Sequence, residues 1–460
     1  MKLPCKDNRS TARSFVANHV GGFAYPTGNG SLQESNVDIS EVSPLLLRPG
    51  RPAAILLAMK RFTGQDRAIT DKWRPATLAV RGGTMRSDFG ETSEAIFMTS
   101  GYAYNSAEEA AGRFRGERAG MTYSRLQNPT TDMLEKRLAL LEGAEAARAT
   151  TTGMAAMSAA LLCQLSAGDH LVAGQSLFGS CRVLVDTILP RFGIQTTTVD
   201  ARDVDAWAKA RRPNTKAFFL ETPSNPGLEV SDIRAISDIG HDAEAVIVVD
   251  NAFASPIVQR PMDFGADVVA YSATKLMDGQ GRVLAGAVLG SEQWMNDVYL
   301  PFARHTGPNL SPFNAWVVLK SLETLDLRVQ RSCENALKVA TFLESRIPRC
   351  LYPGLASHPQ HALAMRQMTS GGTIIALFLD GGRAQAHALL DGLELIDISN
   401  NLGDSRTLMT HPASTTHYSV SQQVRDQMGI AEGMLRLSIG LEDPHDLIDD
   451  LDQALRQAGL

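Results

Sequence analysis

The chain has 460 residues, which is more than one compact core accommodates, so roughly two or three domains are expected. Hydrophobic residues make up 44 % and charged residues 20 % of the chain, as in ordinary globular proteins. The net charge of −6 leaves no basic surface for nucleic acid, and no apolar stretch approaches the ~18 residues of a membrane span. We therefore expect neither a nucleic acid nor a membrane as a partner.

The first 70 residues differ from the rest, because Gly, Ser, Asn and Pro recur there without a sustained hydrophobic period. Arg9 and Arg13 suit a targeting peptide, but acidic residues such as Asp7 and Glu34 are rare in such peptides. We expect residues 1–70 to be a disordered or non-native extension, with Met59 as the alternative natural start.

Between residues 144 and 290, short apolar runs alternate with amphipathic segments. Nearly continuous apolar strands separated by helices predict an α/β fold with a mostly parallel sheet that is covered on both faces. The predicted strands span 146–151, 170–173, 194–199, 216–221, 245–250, 267–272 and 286–289. The predicted helices span 132–141, 155–165, 181–192 and 233–239.

A second, smaller α/β unit is predicted after residue 290. A long helix over 310–343 is expected to link the two parts. It is followed by a strand over 373–378, a helix over 384–390, a strand over 435–439 and a closing helix after Pro444. We expect this smaller unit to close over the larger one.

The cysteines are five in number and scattered, and no pair has the spacing of metal ligands. An odd, dispersed set is typical of a reduced compartment. We therefore expect a cytoplasmic protein without a metal site.

Lys275 and Asp250 carry the strongest chemical signal. Lys275 ends the segment Ser272-Ala273-Thr274-Lys275 after an apolar strand, and Asp250 ends another apolar run. In parallel sheets ligands bind at the carboxyl ends of strands, where a buried ammonium or carboxylate needs a partner. Pyridoxal 5′-phosphate (PLP) would satisfy both, since the lysine binds its aldehyde as a Schiff base and the aspartate keeps its pyridine nitrogen protonated. The Ser272 and Thr274 hydroxyls would bind its phosphate. A solvated lysine and a structural ion pair of Asp250 are the alternatives.

A turn of small residues, Thr152-Gly153-Met154, opens a predicted helix and also suits a phosphate. Its alternative role is that of a plain helix cap.

Three further residues of the larger unit, and one of the smaller unit, are candidates for the same site. Phe178 could stack on the pyridine ring or pack in the core, and Asn225 could donate to the cofactor's phenolic oxygen or form a turn. Glu221 ends another buried strand. Arg436 lies inside an apolar strand, where its guanidinium would bind a substrate α-carboxylate or form an internal salt bridge.

From about Thr77 to its C-terminus, the chain resembles the Cys/Met-metabolism family of PLP-dependent enzymes, which have the aspartate aminotransferase-like fold (fold type I). The motifs that carry the resemblance are Tyr123-Ser124-Arg125, Asn128-Pro129-Thr130, Gly153-Met154, Glu221-Thr222-Pro223-Ser224-Asn225-Pro226, Val249-Asp250-Asn251, Ser272-Ala273-Thr274-Lys275, Asn401-Leu402-Gly403-Asp404, His411-Pro412-Ala413 with His417, and Arg436-Leu437-Ser438-Ile439-Gly440.

The resemblance implies a shared active site. Tyr123 and Arg125 would reach the cofactor phosphate of the neighbouring subunit, in a dimer that pairs into a homotetramer. It also implies an arm over 71–125 that contacts the neighbour, a large PLP-binding domain over 126–320 and a C-terminal α/β domain over 321–460.

Within the family, the run from Lys275 to Arg282 resembles the O-succinylhomoserine sulfhydrylase branch, as do residues 311–316 and 357–361. Phe178 stands where many members have a tyrosine with an acid/base role, and Ser180 where methionine γ-lyases have a cysteine. A carboxylate ester leaves as a stabilised anion, whereas a thiolate benefits more from an acid. Both departures favour synthesis over degradation.

The function expected from these residues is γ-replacement in methionine biosynthesis, in which O-succinyl-L-homoserine and sulfide give L-homocysteine and succinate. Lys275 would move the protons, and Arg436 with Asn401 would hold the α-carboxylate. Arg282 would meet the distal succinyl carboxylate or form a structural ion pair. The alternatives are cystathionine γ-synthase, O-acetylhomoserine sulfhydrylase and, more remotely, a catalytically silent PLP-binding scaffold.

Overall fold

The computed structural model describes Thr70 and residues 72–460, and the structural statements below refer to this part of the chain. The expectations for a targeting peptide, an N-terminal extension and a start at Met59 lie outside the described residues.

The larger sheet has seven strands: β1 Ala146–Thr150, β2 His170–Gly174, β3 Gln195–Val199, β4 Thr215–Glu221, β5 Val246–Asp250, β6 Val268–Tyr271 and β7 Gly286–Gly290. Their spatial order is β1-β7-β6-β5-β4-β2-β3. β7 runs antiparallel to both its neighbours, and the remaining pairs are parallel. The prediction of a mostly parallel sheet is confirmed.

Alternate residues of β5 pack on opposite sides of this sheet. Ile247 and Val249 belong to one hydrophobic core, and Val248 belongs to another. This is the three-layer arrangement that continuous apolar strands predict, because successive side chains of a strand point to opposite faces. The same alternation places Asp250 on the face of Val248, which is the face that carries the helix Gly153–Leu162.

The helices of this part are Pro75–Arg81, Ala107–Phe114, Pro129–Glu142, Gly153–Leu162, Gly179–Val183, Leu189–Arg191, Val204–Ala210, Ile233–His241, Ser255–Val258, Glu292–Trp294 and Leu300–Thr306. Wider π-helical turns span Leu184–Ile188 and Met295–Tyr299, and a 3₁₀ turn spans Pro261–Phe264. The helix predicted over 181–192 is therefore three consecutive helical pieces.

The smaller sheet has five strands, β8 Arg349–Leu351, β9 Ile374–Phe378, β10 Asp397–Ile398, β11 Leu408–Thr410 and β12 Met434–Ser438, in the order β10-β11-β12-β9-β8. Its helices are His361–Gln367, Gly382–Asp391, Gln422–Gln427 and Pro444–Gln457, with a 3₁₀ turn over Pro412–Ser414. It has its own hydrophobic core, which includes Ile375, Leu377 and Leu435. The predicted boundaries at residues 126 and 321 stay predictions.

The single helix predicted over 310–343 is wrong, because two helices, Pro312–Leu322 and Leu325–Glu344, meet at Thr324. The carbonyl oxygen of Ser321 accepts hydrogen bonds from the backbone N–H and the hydroxyl of Thr324 at 3.2 and 3.3 Å. Such local bonds compete with the helical ladder.

No helix in the described part of the chain is both long and apolar enough to cross a membrane. Nor does that part contain a group of three or more His, Cys, Asp or Glu side chains that could hold a metal ion.

Candidate active site

A cavity of about 460 Å³ lies where the carboxyl ends of β4 and β5 meet the smaller sheet. Its lining includes eleven residues that the sequence selected: Thr152, Gly153, Met154, Phe178, Glu221, Asn225, Asp250, Ser272, Thr274, Lys275 and Arg436. Residues far apart in the chain thus converge on one cavity.

Lys275 presents a buried amine to this cavity. Its Nζ donates a hydrogen bond to Asn401 Oδ1 at 2.6 Å, so Asn401 contacts Lys275 from the smaller unit. Burial lowers the pKa of Lys275 to about 8, and the positive charge of Arg436 acts in the same direction. An amine with that pKa is partly neutral near pH 8 and is a better nucleophile and base than a solvated lysine.

Two hydroxyls precede Lys275 and differ in their availability. Thr274 Oγ1 donates to Ala285 O at 3.1 Å and accepts from Ala285 N at 3.0 Å, so its proton is already engaged. Ser272 Oγ forms no hydrogen bond with any other described residue. Ser272 is therefore the better placed donor for a phosphate.

The helix Gly153–Leu162 begins beside Ser272. Thr152 caps it, accepting a hydrogen bond from Ala155 N at 3.0 Å. A Cβ on Gly153 would lie only 2.6 Å from Ser272 Cβ, so only glycine permits this approach. The first backbone N–H groups of a helix and its positive dipole end form a natural anion site.

Glu221 and Asp250 are neighbours in the sheet, since they are paired residues at the ends of β4 and β5. Both are buried, and neither forms an ion pair with a described residue. Burial raises the pKa of Asp250 to about 7. Burial, and then the charge of Asp250, raise the pKa of Glu221 well above its usual range. Arg436 acts on Glu221 only from a distance, so two adjacent buried carboxyl groups without an ion-pair partner suit a cationic ligand such as a protonated pyridine ring.

Glu221 also holds the loops on either side of this position. Its Oε2 accepts a hydrogen bond from Phe178 N at 2.5 Å, and its Oε1 accepts one from Asn225 N at 2.9 Å. The two residues proposed to touch the cofactor ring are therefore fixed by one carboxylate.

Arg436 is buried in β12 at 2 % exposure, and its hydrogen bonds go to neutral oxygens. Nη1 donates to Asn225 Oδ1 at 2.9 Å, and Nη2 donates to Asn400 O at 2.8 Å and Asn401 O at 3.2 Å. Its Nε is buried without a partner, and burial lowers its pKa to about 10. The internal salt bridge that the sequence left open is absent from the described residues, so the guanidinium is available to a carboxylate.

A sequence model of Cys/Met-metabolism PLP-dependent enzymes matches residues 76–456. The chain belongs to this family. An O-succinylhomoserine sulfhydrylase from Mycobacterium tuberculosis is 49 % identical over 395 residues, which are 85 % of this chain and 97 % of the relative. An L-methionine γ-lyase from Treponema denticola is 41 % identical over 395 residues, 85 % of this chain and 98 % of the relative.

A solved structure from Campylobacter jejuni, assigned as an O-acetylhomoserine (thiol)-lyase, contains N′-pyridoxyl-lysine-5′-monophosphate. It superposes with a TM-score of 0.80 at 33 % identity and covers 84 % of this chain and 100 % of its own. The 460-residue chain is thus an enzyme of the Cys/Met-metabolism family with the expected fold, and its cofactor is PLP. The unpaired acids, the Gly153 turn and the Lys275 amine fit that cofactor.

Four predicted site residues are not among the residues that line the cavity. One is Asn401, although its Oδ1 accepts a hydrogen bond from Lys275 Nζ. Tyr123 is 44 % exposed, and the guanidinium of Arg125 lies over its ring at 5.5 Å from the centroid. A role of either in a neighbouring subunit stays a prediction. Arg282 Nη2 lies 2.9 Å from Asp278 Oδ1, and Arg282 is not among the lining residues. The ion pair that the sequence also allowed for Arg282 is present, and its contact with the substrate stays a prediction.

Several lining residues were not predicted: Met157, Cys181, Ala252, Phe253, Leu284, Asn400, Leu402, Thr415, Thr416 and Tyr418. Cys181 could have been found, because it follows Phe178-Gly179-Ser180 directly. Thr415 and Thr416 lie between the recognised His411 and His417. The apolar residues carry no signal that distinguishes them from core residues.

Proposed function

We propose that this enzyme replaces the γ-substituent of O-succinyl-L-homoserine by sulfide and so produces L-homocysteine and succinate for methionine biosynthesis. The observation that carries the proposal is the convergence of Lys275, Asp250 and Arg436 on one cavity that Phe178 also lines. The similarity to proteins named O-succinylhomoserine sulfhydrylase, at 49 and 46 % identity, supports this substrate.

Substrate orientation depends on Arg436. A guanidinium whose Nη atoms are fixed by Asn225 and two backbone carbonyls keeps a defined direction in the cavity. It would bind the α-carboxylate of an amino acid, because guanidinium and carboxylate groups form strong, directional hydrogen bonds. The buried, unpartnered Nε adds a donor that a carboxylate could satisfy.

Proton transfer depends on Lys275. When bound, PLP stabilises the negative charge that develops at the substrate's α-carbon. The Lys275 amine would take the α-proton and then move a β-proton, for which its lowered pKa of about 8 is suited. Asn401 would hold the amine through its Oδ1 when no proton is in transfer.

Cofactor binding would use the other residues of the cavity. Asp250 would face the pyridine nitrogen, and Phe178 would stack on the ring. Asn225 Oδ1 is taken by Arg436, so its amide nitrogen remains the donor for the phenolic oxygen. Ser272, with the turn Thr152-Gly153-Met154, would hold the phosphate.

The γ-carbon–oxygen bond of the ester breaks and succinate leaves with the bonding electrons, after which the sulfide sulfur forms the new γ-carbon–sulfur bond. Phe178 has no hydroxyl to protonate a leaving group. Succinate is a weak base and leaves without such help, whereas a thiolate needs more. This difference favours ester substrates over cystathionine or methionine.

The test is a product assay with purified enzyme. O-succinyl- and O-acetyl-L-homoserine are each offered with sulfide or with cysteine, and the amino acid formed is identified. Homocysteine from the succinyl ester as the fastest reaction supports the proposal. Preference for cysteine would indicate a cystathionine γ-synthase, and preference for the acetyl ester would indicate an O-acetylhomoserine sulfhydrylase. If no substrate changes the cofactor absorbance, the protein is a catalytically silent scaffold.

We also propose a cytoplasmic homotetramer of dimers, in which Tyr123 and Arg125 reach the partner's cofactor phosphate. Their exposure, and their position outside the cavity of their own chain, support a role in a neighbour. Mixed dimers of an Arg125→Ala and a Lys275→Ala chain would test this. If the site is shared, both substitutions fall in one of the two sites of a mixed dimer, and the other site is intact and active. If each chain forms its own site, both sites carry a substitution and the mixed dimer is inactive.

A further inference from the structure

Arg328 is a buried arginine outside the cavity, in the first turn of the helix Leu325–Glu344. It forms no ion pair with any described residue. Its guanidinium donates instead to backbone carbonyl oxygens: Nη1 to Leu276 O at 2.8 Å, and Nη2 to Met277 O at 3.3 Å and Ser321 O at 3.0 Å. A guanidinium buried among neutral acceptors is costly and calls for an explanation.

Two of these carbonyls belong to the residues directly after Lys275. The carbonyl oxygens of Leu276 and Met277 lie in a turn, where they lack the backbone N–H donors that a continuing helix would provide. Arg328 therefore satisfies the carbonyls of the segment that carries the reactive amine, and it anchors that segment to a helix.

The opposite side of this segment packs against residues of the smaller unit. Ser405 N donates to Gly279 O at 2.9 Å, and a Cβ on Gly403 would lie 2.7 Å from Leu276 N. A Cβ on Gly279 would overlap Arg328 Nη1, so the guanidinium packs directly on the turn. The turn is thus held between Arg328 and the segment that presents Asn401 to Lys275.

We propose that Arg328 is a positioning residue, which sets where the Lys275 amine stands relative to Asn401 and the cofactor by clamping the carbonyls of Leu276 and Met277. This inference rests on the proposed role of Lys275. A small displacement of a reacting group costs up to about 10²-fold in rate, so a clamp one residue away has a measurable effect without touching the substrate.

The experiment compares Arg328→Met, which removes the fork, with Arg328→Lys, which keeps the charge but not the planar donor geometry. Arg331→Met on the exposed side of the same helix is the matched control. The measurements are the kcat and KM of the cofactor-loaded enzyme, the pH titration of the cofactor absorbance, and the Tm. We expect Arg328→Met to lower kcat by on the order of 10²-fold with KM little changed. We expect it to move the absorbance titration by about one pH unit.

Arg328→Lys should restore only part of both quantities, and Arg331→Met should change neither. A lower Tm together with an unchanged kcat and an unchanged titration would overturn the proposal, because that result describes a purely structural arginine. The proposal is also overturned if folded Arg328→Lys behaves as wild type in both measurements, since the planar fork would then have no positioning role.

If Arg328→Met does not fold, Thr324→Val decides the question together with Arg328→Lys. Thr324 Oγ1 accepts from Arg328 Nε at 3.2 Å, and its loss should shift the titration in the same direction by less. An unchanged titration in both variants would contradict the proposal. The absorbance titration needs no substrate, so an error in the assigned substrate would leave this result standing.

Discussion

The two sheets contribute to the cavity in different ways. The larger sheet supplies Glu221 and Asp250 from the last positions of parallel strands, and Lys275 from the turn after a third strand. The smaller sheet supplies Arg436 from the middle of β12, where it is paired with residues on both sides. The position of a side chain at a strand end is set by the loop that follows it. The position of a guanidinium inside a strand is set by hydrogen-bond acceptors from other segments.

We expect the first region to supply the chemistry and the second to bind the substrate. Three substitutions test that division and a fourth tests the core behind the larger sheet, and they are arranged from the largest expected effect to the smallest.

Lys275→Ala removes the reactive amine from the larger-sheet side. Turnover should fall by at least about 10³-fold, since proton transfer by a positioned group contributes roughly 10²–10⁴-fold. The kcat of the cofactor-loaded variant is the measurement, with exposed Lys338→Ala as the control. Turnover that survives the substitution would remove Lys275 from the mechanism.

Arg436→Lys removes the planar fork from the smaller-sheet side but keeps the charge. A lost charged hydrogen bond costs about 1.5–3 kcal/mol, so kcat/KM should fall by roughly 10- to 100-fold, mainly through KM. Steady-state kinetics on the succinyl ester measure the split. A fall confined to kcat would indicate that the smaller sheet takes part in the chemistry and would break the comparison.

Phe178→Tyr restores the hydroxyl that many relatives carry. Reaction of the succinyl ester should change by less than about tenfold, because its leaving group needs no proton. Breakdown of cystathionine or methionine should rise from its wild-type level. Comparing the two activities in one preparation checks this, and equal changes in both would show that the hydroxyl does not act on the leaving group.

Glu142→Gln concerns the core behind the larger-sheet edge. Glu142 is fully buried, accepts a hydrogen bond from the Tyr271 hydroxyl, and its pKa is raised by burial to about 8. Because the folded pKa lies above the unfolded one, the stability that Glu142 contributes is complete below the ordinary carboxyl pKa and is lost as the pH rises to about 8. Glutamine keeps a side-chain oxygen that accepts the Tyr271 hydrogen bond, and it cannot ionise, so the variant does not lose this stability as the pH rises. The Tm of the variant should therefore fall less than that of wild type over this range, whereas exposed Glu334→Gln should follow wild type.

The larger-sheet half of the site was the more predictable half. Asp250, Glu221 and Lys275 follow apolar runs, and the rule that ligands bind at strand ends brings them together without knowledge of the packing. The strands of the larger sheet were predicted within one or two residues of their observed ends, and most of them are short buried runs.

The smaller-sheet side needed the tertiary structure. The wall formed by Thr415, Thr416 and Tyr418 reaches the cavity only because the two sheets pack together. The sequence left two roles open for Arg282 because charge alone does not reveal a partner, although Asp278 stands four positions earlier, at a spacing typical of ion pairs within a turn of helix. The break at Thr324 depends on side-chain bonds to Ser321 that a hydrophobic period does not record.

The pairing of Glu221 with Asp250 links cofactor loading to acidity. Because both acids are buried, their pKa values are raised and they hold their protons more tightly than they would in water. A cation placed beside them favours the ionised forms, so Asp250 and Glu221 would release protons to the solvent if they held a protonated ring. By mass action, we expect acidification to weaken cofactor binding.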